Sequence, residues 1–262
     1  MSTWDLMMQS FRVLRRDKQL VIFPILSAVA AIAISVPFIL GLFATGEEPV
    51  RWNVNKAAIC LLWYFCANAA IVFFNCALAS SARTFFAGGT PTLGDGMRQA
   101  AEKAPAILAW AMVMSTVGVF LRWLDDRAGW VGQIVIGLMG VAWNMATYLI
   151  VPVLVFEDVG VMDSIRRSSQ LLRQTWGEQI RGGLSFFWFG LLLTIPGIVI
   201  GAIAMATWVP LVAIAVVYFI AMAASFSAAA QIFRVALYQY AITGQAPDGY
   251  TGEGLRGAIR TR

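Results

Sequence analysis

The chain contains no histidine. That absence removes Ser–His hydrolysis, H-E-x-x-H zinc sites and histidine-ligated haem together. Charge is scarce as well: 13% of the 262 residues are Asp, Glu, Lys or Arg, about half the share usual in a soluble domain, while 60% are hydrophobic. Such a chain has too little polar surface to cover itself in water. The three cysteines, Cys60, Cys66 and Cys76, fall within one apolar stretch at spacings that suit no metal. They read as small core residues rather than extracellular disulfide partners. Gly88-Gly89 lacks the lysine and the spacing of a phosphate loop. The carboxylate pairs Glu47–Glu48, Asp125–Asp126 and Glu157–Asp158 are sequence neighbours that point apart on a helix, and read as solvated caps or interface charges. No catalytic residue, metal site or cofactor is expected, and the chain is not expected to be an enzyme.

What the sequence does hold is apolar length. Six uncharged stretches of 17 to 26 residues occupy 21–43, 57–80, 105–121, 131–156, 184–206 and 210–233. A hydrocarbon core about 30 Å thick needs roughly 20 apolar residues of helix, and a helix satisfies its own backbone groups there. The shortest, 105–121, extends through Trp123 and Leu124 if Arg122 snorkels. The first is too long for a signal-peptide core and is not followed by a small-residue cleavage site, so it reads as an uncleaved span. None of the six contains Asp, Glu, Lys, Arg or His, which argues against a proton relay or ion pathway built on an ionisable side chain. The expected fold is all-α: a polytopic membrane protein of six transmembrane helices.

The connectors separate positive charge by side. Arg12, Arg15, Arg16, Lys18, Arg83, Arg98, Lys103, Arg166, Arg167, Arg173, Arg181, Arg234, Arg256, Arg260 and Arg262 fall on one side; Arg51, Lys56, Arg122 and Arg127 fall on the other. The positive-inside rule then places both termini of a multi-pass protein in the cytoplasm. Trp52, Trp123, Trp130, Trp176 and Trp208 lie near span ends, as interfacial aromatics do. The 19 basic against 14 acidic residues do not indicate a nucleic-acid partner, because no basic run is interleaved with aromatics in a soluble segment. Anionic lipid headgroups are the nearer partner.

One pattern recurs after each even-numbered span: Asp95-Gly-Met-Arg98, Asp163-Ser-Ile-Arg166 and Glu253-Gly-Leu-Arg256. The acid suits a helix N-cap or first turn. Gly88-Gly-Thr-Pro91 and Gly244-Gln-Ala-Pro247 precede the first and third copies, and Asp5, Ser10, Leu14 and Arg15 match Asp163, Ser168, Leu172 and Arg173 in spacing. This predicts three parallel hairpin repeats, each opened by a cytoplasmic amphipathic helix: 1–91, 92–159 and 160–247, with an amphipathic tail at 248–262. In the stretch 163–181, Ile165, Ser168, Ser169, Leu172 and Trp176 keep a three-four spacing while Arg166, Arg167 and Arg173 take other faces. That suits a helix lying in the headgroup layer, either as an ordinary stabilising element or as a lipid- or partner-docking one. Arg98, Arg166, Arg167, Arg173 and Arg256 are the candidate contacts to anionic lipid.

Within the spans the polar residues are amides. Asn75, Asn144 and Gln231 sit at similar depth in the three even-numbered spans, and Asn68 shares a helical face with Asn75. They suit helix–helix glue worth about 0.6 kcal/mol per bond, or the lining of a polar passage. Pro37, Pro152 and Pro196 are candidate kinks.

The stretches Phe11-Arg-Val-Leu-Arg-Arg-Asp17, Phe23-Pro-Ile-Leu26, Val151-Pro-Val-Leu-Val-Phe156-Glu-Asp, Ser164-Ile-Arg-Arg-Ser168 and Thr175-Trp-Gly-Glu178 carry a resemblance. The chain resembles an uncharacterised prokaryotic six-span integral membrane family that bears only a domain-of-unknown-function label. The resemblance implies a six-helix membrane fold and supplies no activity or catalytic residue. Two functions remain open: a non-enzymatic inner-membrane protein organising lipids or partner proteins through its interfacial helices, or a channel or facilitator for a small polar solute or lipid. A homo-oligomer suits either.

Overall fold

A computed structural model describes residues 3–44, 54–173 and 210–250, together with 194–196 and 198. Among the described residues every regular element is a helix. In chain order they are α1 (Thr3–Arg16), a 3₁₀ turn (Lys18–Val21), α2 (Ile22–Ala44), α3 (Val54–Phe86), α4 (Leu93–Glu102), α5 (Ala104–Asp125), α6 (Trp130–Ala146), α7 (Ile150–Phe156), α8 (161–173) and α9 (Pro210–Thr243). Among the described residues, five stretches are long and apolar enough to cross a bilayer: Lys18–Gly41, Ala58–Phe86, Ala104–Asp125, Trp130–Phe156 and Val216–Thr243. The chain is a helical, multi-pass membrane protein. These five fall on the first, second, third, fourth and sixth expected spans. The fifth, 184–206, lies almost wholly outside the described residues, as do the third motif copy and Arg256.

Local chemistry sets the helix boundaries. The Asp17 carboxylate accepts the Gln19 N–H at 3.0 Å and caps the turn that swings α1 into α2. α3 ends on Gly88 (φ 79°) and α9 on Gly244 (φ 67°), left-handed conformations open to glycine at little steric cost. The Gly89 N–H reaches back to the Thr84 carbonyl, and the Gly244 N–H to that of Tyr240, so the last carbonyls are satisfied. At the start of α4 the Thr92 hydroxyl donates to the Asp95 carboxylate at 2.6 Å and accepts the Asp95 N–H at 3.2 Å. Asp95 therefore stands in the first turn and Thr92 is the N-cap.

The fourth span is two helices, α6 and α7, interrupted at 147–149. Pro152, in the first turn of α7, has no N–H and its ring crowds the carbonyl four residues back; of the three candidate kinks, this one breaks its helix. The break leaves the Leu149 N–H without a helical acceptor, and the Ser168 hydroxyl of α8 takes it at 3.1 Å. Pro37, by contrast, sits inside an uninterrupted α2.

The core lies at one end of the bundle. There the starts of α2 and α5 and the ends of α3, α7 and α9 meet α1, α4 and α8. The fully buried side chains include Met7, Leu20, Phe23, Leu78, Leu154, Leu171, Phe233 and Leu237. Away from this end the helices bury little: between 11% and 33% of each apolar window is buried within the chain, and Val29, Ile32, Leu40, Ile134, Leu138 and Val217 are exposed. The asymmetry has a solvent cause. Lipid tails are as apolar as leucine, so nothing drives those side chains inward within the bilayer. Where the bundle meets water, each large apolar side chain removed from it contributes about 1.5–3 kcal/mol.

The chain also closes on itself here. The Ser10 and Tyr250 hydroxyls share a buried hydrogen bond of 2.6 Å across 240 residues of sequence, and Gly249 (φ 90°) passes against Val13. Burial pushes the Tyr250 phenol well above its ordinary pKa, and the Ser10 bond opposes this only in part. The unfolded phenol titrates near pH 10. The native contribution of neutral Tyr250 is therefore complete below about pH 10 and is lost as pH rises toward the higher folded value. Tyr250→Phe is expected to cost about 1 kcal/mol at neutral pH and to flatten the alkaline loss of stability in melts recorded between pH 8 and 11.

Candidate functional site

The basic end of the bundle holds one cluster of interacting charged and aromatic side chains. Glu157, which follows α7, accepts the Arg167 Nε–H at 3.0 and 3.2 Å on its two oxygens. The same carboxylate accepts the Tyr238 hydroxyl of α9 at 3.0 Å. Its side chain is only 20% exposed, against 39% for Arg167. Next to it, the Arg83 guanidinium of α3 stands 4.7 Å from the centre of the Phe156 ring, and Phe156 packs on Tyr238 at 5.4 Å. One carboxylate thus ties α7, α8 and α9 together, with a second arginine close by. Of the pair Glu157 and Asp158, expected as solvated caps or interface charges, Glu157 is drawn in among the helices, while Asp158 is solvent-facing, 94% exposed and paired with Lys103. The hydrogen bond and charge of Lys103 hold the Asp158 carboxyl below its ordinary pKa.

One turn before Tyr238 on α9 lies a second polar group. Arg234 donates from Nη1 to Gln231 Oε1 at 3.1 Å, and its guanidinium covers the Tyr148 ring at 4.9 Å, beside the break between α6 and α7. Gln231 Nε2 and Arg234 Nε are buried and meet no acceptor. Arg83 and Arg234 have no carboxylate partner among the described residues. Both lie inside helices that run past the expected spans: α3 continues to Phe86 and α9 to Thr243.

The remaining candidate arginines differ in how free they are. Arg98 pairs loosely with Glu102 and Arg166 with Asp163, each at 3.4 Å with the guanidinium side chain 81% and 74% exposed. Arg173 is exposed and has no acid partner among the described residues, while Arg167 is taken by Glu157. The opposite faces of the same helices are packed: Gly96 and Ala100 of α4, and Ser164, Ser168, Leu171 and Leu172 of α8, are buried. α1 repeats the arrangement, with Met7, Ser10, Val13 and Leu14 buried and Arg12, Arg15 and Arg16 exposed.

The four amides do not form one hydrogen-bonded group. Gln231 is buried, Asn75 is half-buried, Asn144 is exposed, and the half-buried Asn68 donates to its own helix at the Tyr64 carbonyl, 2.7 Å away. No hydrogen bond joins any two of them. Among the described residues no cluster of His, Cys, Asp or Glu could hold a metal ion.

Tyr238 escaped the sequence reading, and Glu157, Arg83 and Arg234 entered it only as solvated or interface charges and connector residues, not as candidate site residues. Glu157 and Arg167 stand ten residues apart across a turn, and Tyr238 is remote from both, so no local spacing marks them. The available signal was an arginine directly following an apolar run, at Arg234, with the apolar pattern resuming in Val235-Ala-Leu237.

A model of a family of unknown function (DUF6159) matches residues 54–249, most of the chain and all of the described basic end except α1, the 3₁₀ turn, α2 and Tyr250. No curated protein and no solved structure matches. The chain belongs to that family.

Proposed function

We propose that this member of a family of unknown function is a non-enzymatic inner-membrane protein that organises anionic lipid, or a partner protein at the lipid surface, through basic helices on its cytoplasmic face. In this reading the basic end is cytoplasmic, both termini lie there, and 184–206 supplies a sixth span. One observation carries it: α1, α4 and α8 each pack one face on the core at the same end and turn exposed arginines outward, among them Arg12, Arg15, Arg98, Arg166 and Arg173. Exposed methionines stand beside those arginines, Met8 on α1, Met97 on α4 and Met162 on α8. An arginine next to an exposed apolar side chain is what a helix in the headgroup layer needs: one group for phosphate, the other for the acyl boundary.

The repeat belongs to the same proposal. Small residues one and five positions after the acid are buried in both described copies, Gly96 and Ala100 in one, Ser164 and Ser168 in the other. Ser10 and Leu14 of α1 are buried like Ser168 and Leu172. Gly88 and Gly244 end helices of 33 and 34 residues in the same left-handed conformation. Each unit is then a helix docked by small residues with its arginine turned to lipid, followed by a hairpin of spans. A homo-oligomer would multiply this basic face.

The test is lipid composition around the purified protein. In nanodiscs of mixed phosphatidylglycerol and phosphatidylcholine, phosphatidylglycerol should be enriched near the chain. Each basic residue at an anionic surface contributes about 1 kcal/mol, so changing Arg98, Arg166 and Arg173 together to Gln should cut the enrichment at least about tenfold. Raised salt should weaken it in the unaltered protein. Equal enrichment in the triple variant would end this reading.

A further inference from the structure

We propose that Arg234 and Gln231 hold a single phosphate-bearing anion inside the basic end, beside the break between α6 and α7. The source of that anion is the headgroup of an anionic phospholipid or free phosphate. Anionic lipid as the source rests on the function proposed above; the site itself does not.

The argument starts from donors without acceptors. Gln231 is 2% exposed, and its amide orientation is fixed because Oε1 accepts from Arg234 at 3.1 Å. A reversed amide would set nitrogen against nitrogen. Nε2 is therefore a donor, and it is buried with no partner. Arg234 Nε is a second buried donor with none, on a side chain that is always cationic. A buried donor without an acceptor costs about 1–3 kcal/mol, and more where the group is charged. Two orphan donors on neighbouring side chains, one of them cationic, form a site short of oxygens and short of negative charge.

The protein's own acids do not supply either. Glu157 is committed to Arg167 and Tyr238, and Asp158 is turned out to Lys103. No described carboxylate lies within ion-pair distance of Arg234. Phosphate fits what is left. Its oxygens accept from a planar guanidinium edge and an amide together, while the Tyr148 ring covers one guanidinium face and holds the fork in place. Arg234 lies nine residues before Thr243 on α9, about 14 Å inside the helix end at 1.5 Å per residue.

The experiment uses the full chain, delipidated and returned to phosphatidylcholine nanodiscs, with native mass spectrometry as the readout. One arm adds phosphatidylglycerol; the other adds inorganic phosphate without anionic lipid. The expected result is one phosphatidylglycerol retained per chain, with occupancy falling about tenfold in Arg234→Gln and in Gln231→Leu, and less in Arg234→Lys, which keeps the charge and loses the fork. Retention of inorganic phosphate with the same sensitivity to both variants would support the site and assign it a soluble anion. Should Arg234→Gln fail to fold, Gln231→Leu carries the test. It replaces the orphan amide by an apolar side chain of similar size and leaves the Arg234 guanidinium, short of one acceptor, over the Tyr148 ring. Retention of neither probe by the unaltered protein, or retention unchanged in both variants, overturns the proposal. The outcomes separate from those above, because the exposed arginines are untouched here and the Arg234–Gln231 pair is untouched there.

Discussion

Gly96→Ala is expected to destabilise the protein by about 2 kcal/mol, although alanine is the better helix former. In a free helix the change would stabilise by about 1 kcal/mol. Here a Cβ on Gly96 would stand 2.9 Å from the Ala77 carbonyl oxygen and 2.9 Å from Phe23 Cζ, and would also run into the Ser81 hydroxyl. The Phe23 ring edge can shift; the Ala77 carbonyl belongs to α3 and cannot move without it. Overpacking of this kind costs about 1–3 kcal/mol and sometimes more, so packing outweighs propensity. Gly96→Leu should prevent α4 from docking at all. Gly94→Ala is the matched control on the same helix, since its Cβ would meet only the Thr92 hydroxyl, at 3.9 Å. There propensity acts alone and the substitution should stabilise. Thermal unfolding in detergent distinguishes the two, and equal melting temperatures for the two alanine variants would show that α4 does not rest against α3.

The same residue shows where sequence stops and structure begins. The small residue after each acid is visible as a repeated position, and a helix start there follows from capping chemistry. That the position is small because two helices touch through it depends on distance in space. The spans were legible because hydropathy over 20 residues is a strong signal, yet their ends were not. α3 and α9 leave the hydrocarbon as continuous helices, and their average hydropathy falls at Arg83 and Arg234 while the helix goes on. Reading a charge as a boundary therefore placed both arginines in connectors. The break at 147–149 was readable from Pro152, but its repair by the Ser168 hydroxyl was not, since the two meet only after α8 has folded back.

The site divides in the same way. The arginines facing outward on α4 and α8 stood out because exposure and amphipathic spacing are both local properties. Glu157 did not, since Glu157-Asp158 is a single charged dipeptide in sequence and becomes two environments only when α8 and α9 close over its first residue. The amides of the three even-numbered spans were matched by depth, and depth says nothing of rotation about a helix axis. That is why Gln231 is buried beside Arg234 and Asn144 is exposed.

Glu157→Ala is expected to release α8 from the bundle at a cost of about 1–3 kcal/mol. The range lies between that of an exposed ion pair, at most about 1 kcal/mol, and that of a fully buried one, about 3–5 kcal/mol on loss of one partner. Glu157 is mostly buried and Arg167 partly so, which places the pair between those limits. The loss is not symmetrical. Arg167→Met leaves the carboxylate with the Tyr238 hydroxyl and with Arg83 close by, so it should be the milder change. Glu157→Ala leaves the Arg167 guanidinium without its acid, with Arg83 over the neighbouring Phe156 ring, and takes away the acceptor of Tyr238. Glu157→Gln should fall between, because its amide oxygen still accepts from Tyr238 while the charge is gone. Asp158→Ala, one residue along, should change little, since its carboxylate is solvated and its attraction to Lys103 is screened. Hydrogen exchange at 161–173 reads the outcome directly: protection should fall in the order Asp158→Ala, Arg167→Met, Glu157→Gln, Glu157→Ala. Protection unchanged in Glu157→Ala would mean that Ser164, Ser168 and Leu171 hold α8 by packing alone, with the carboxylate contributing nothing to its place on α9.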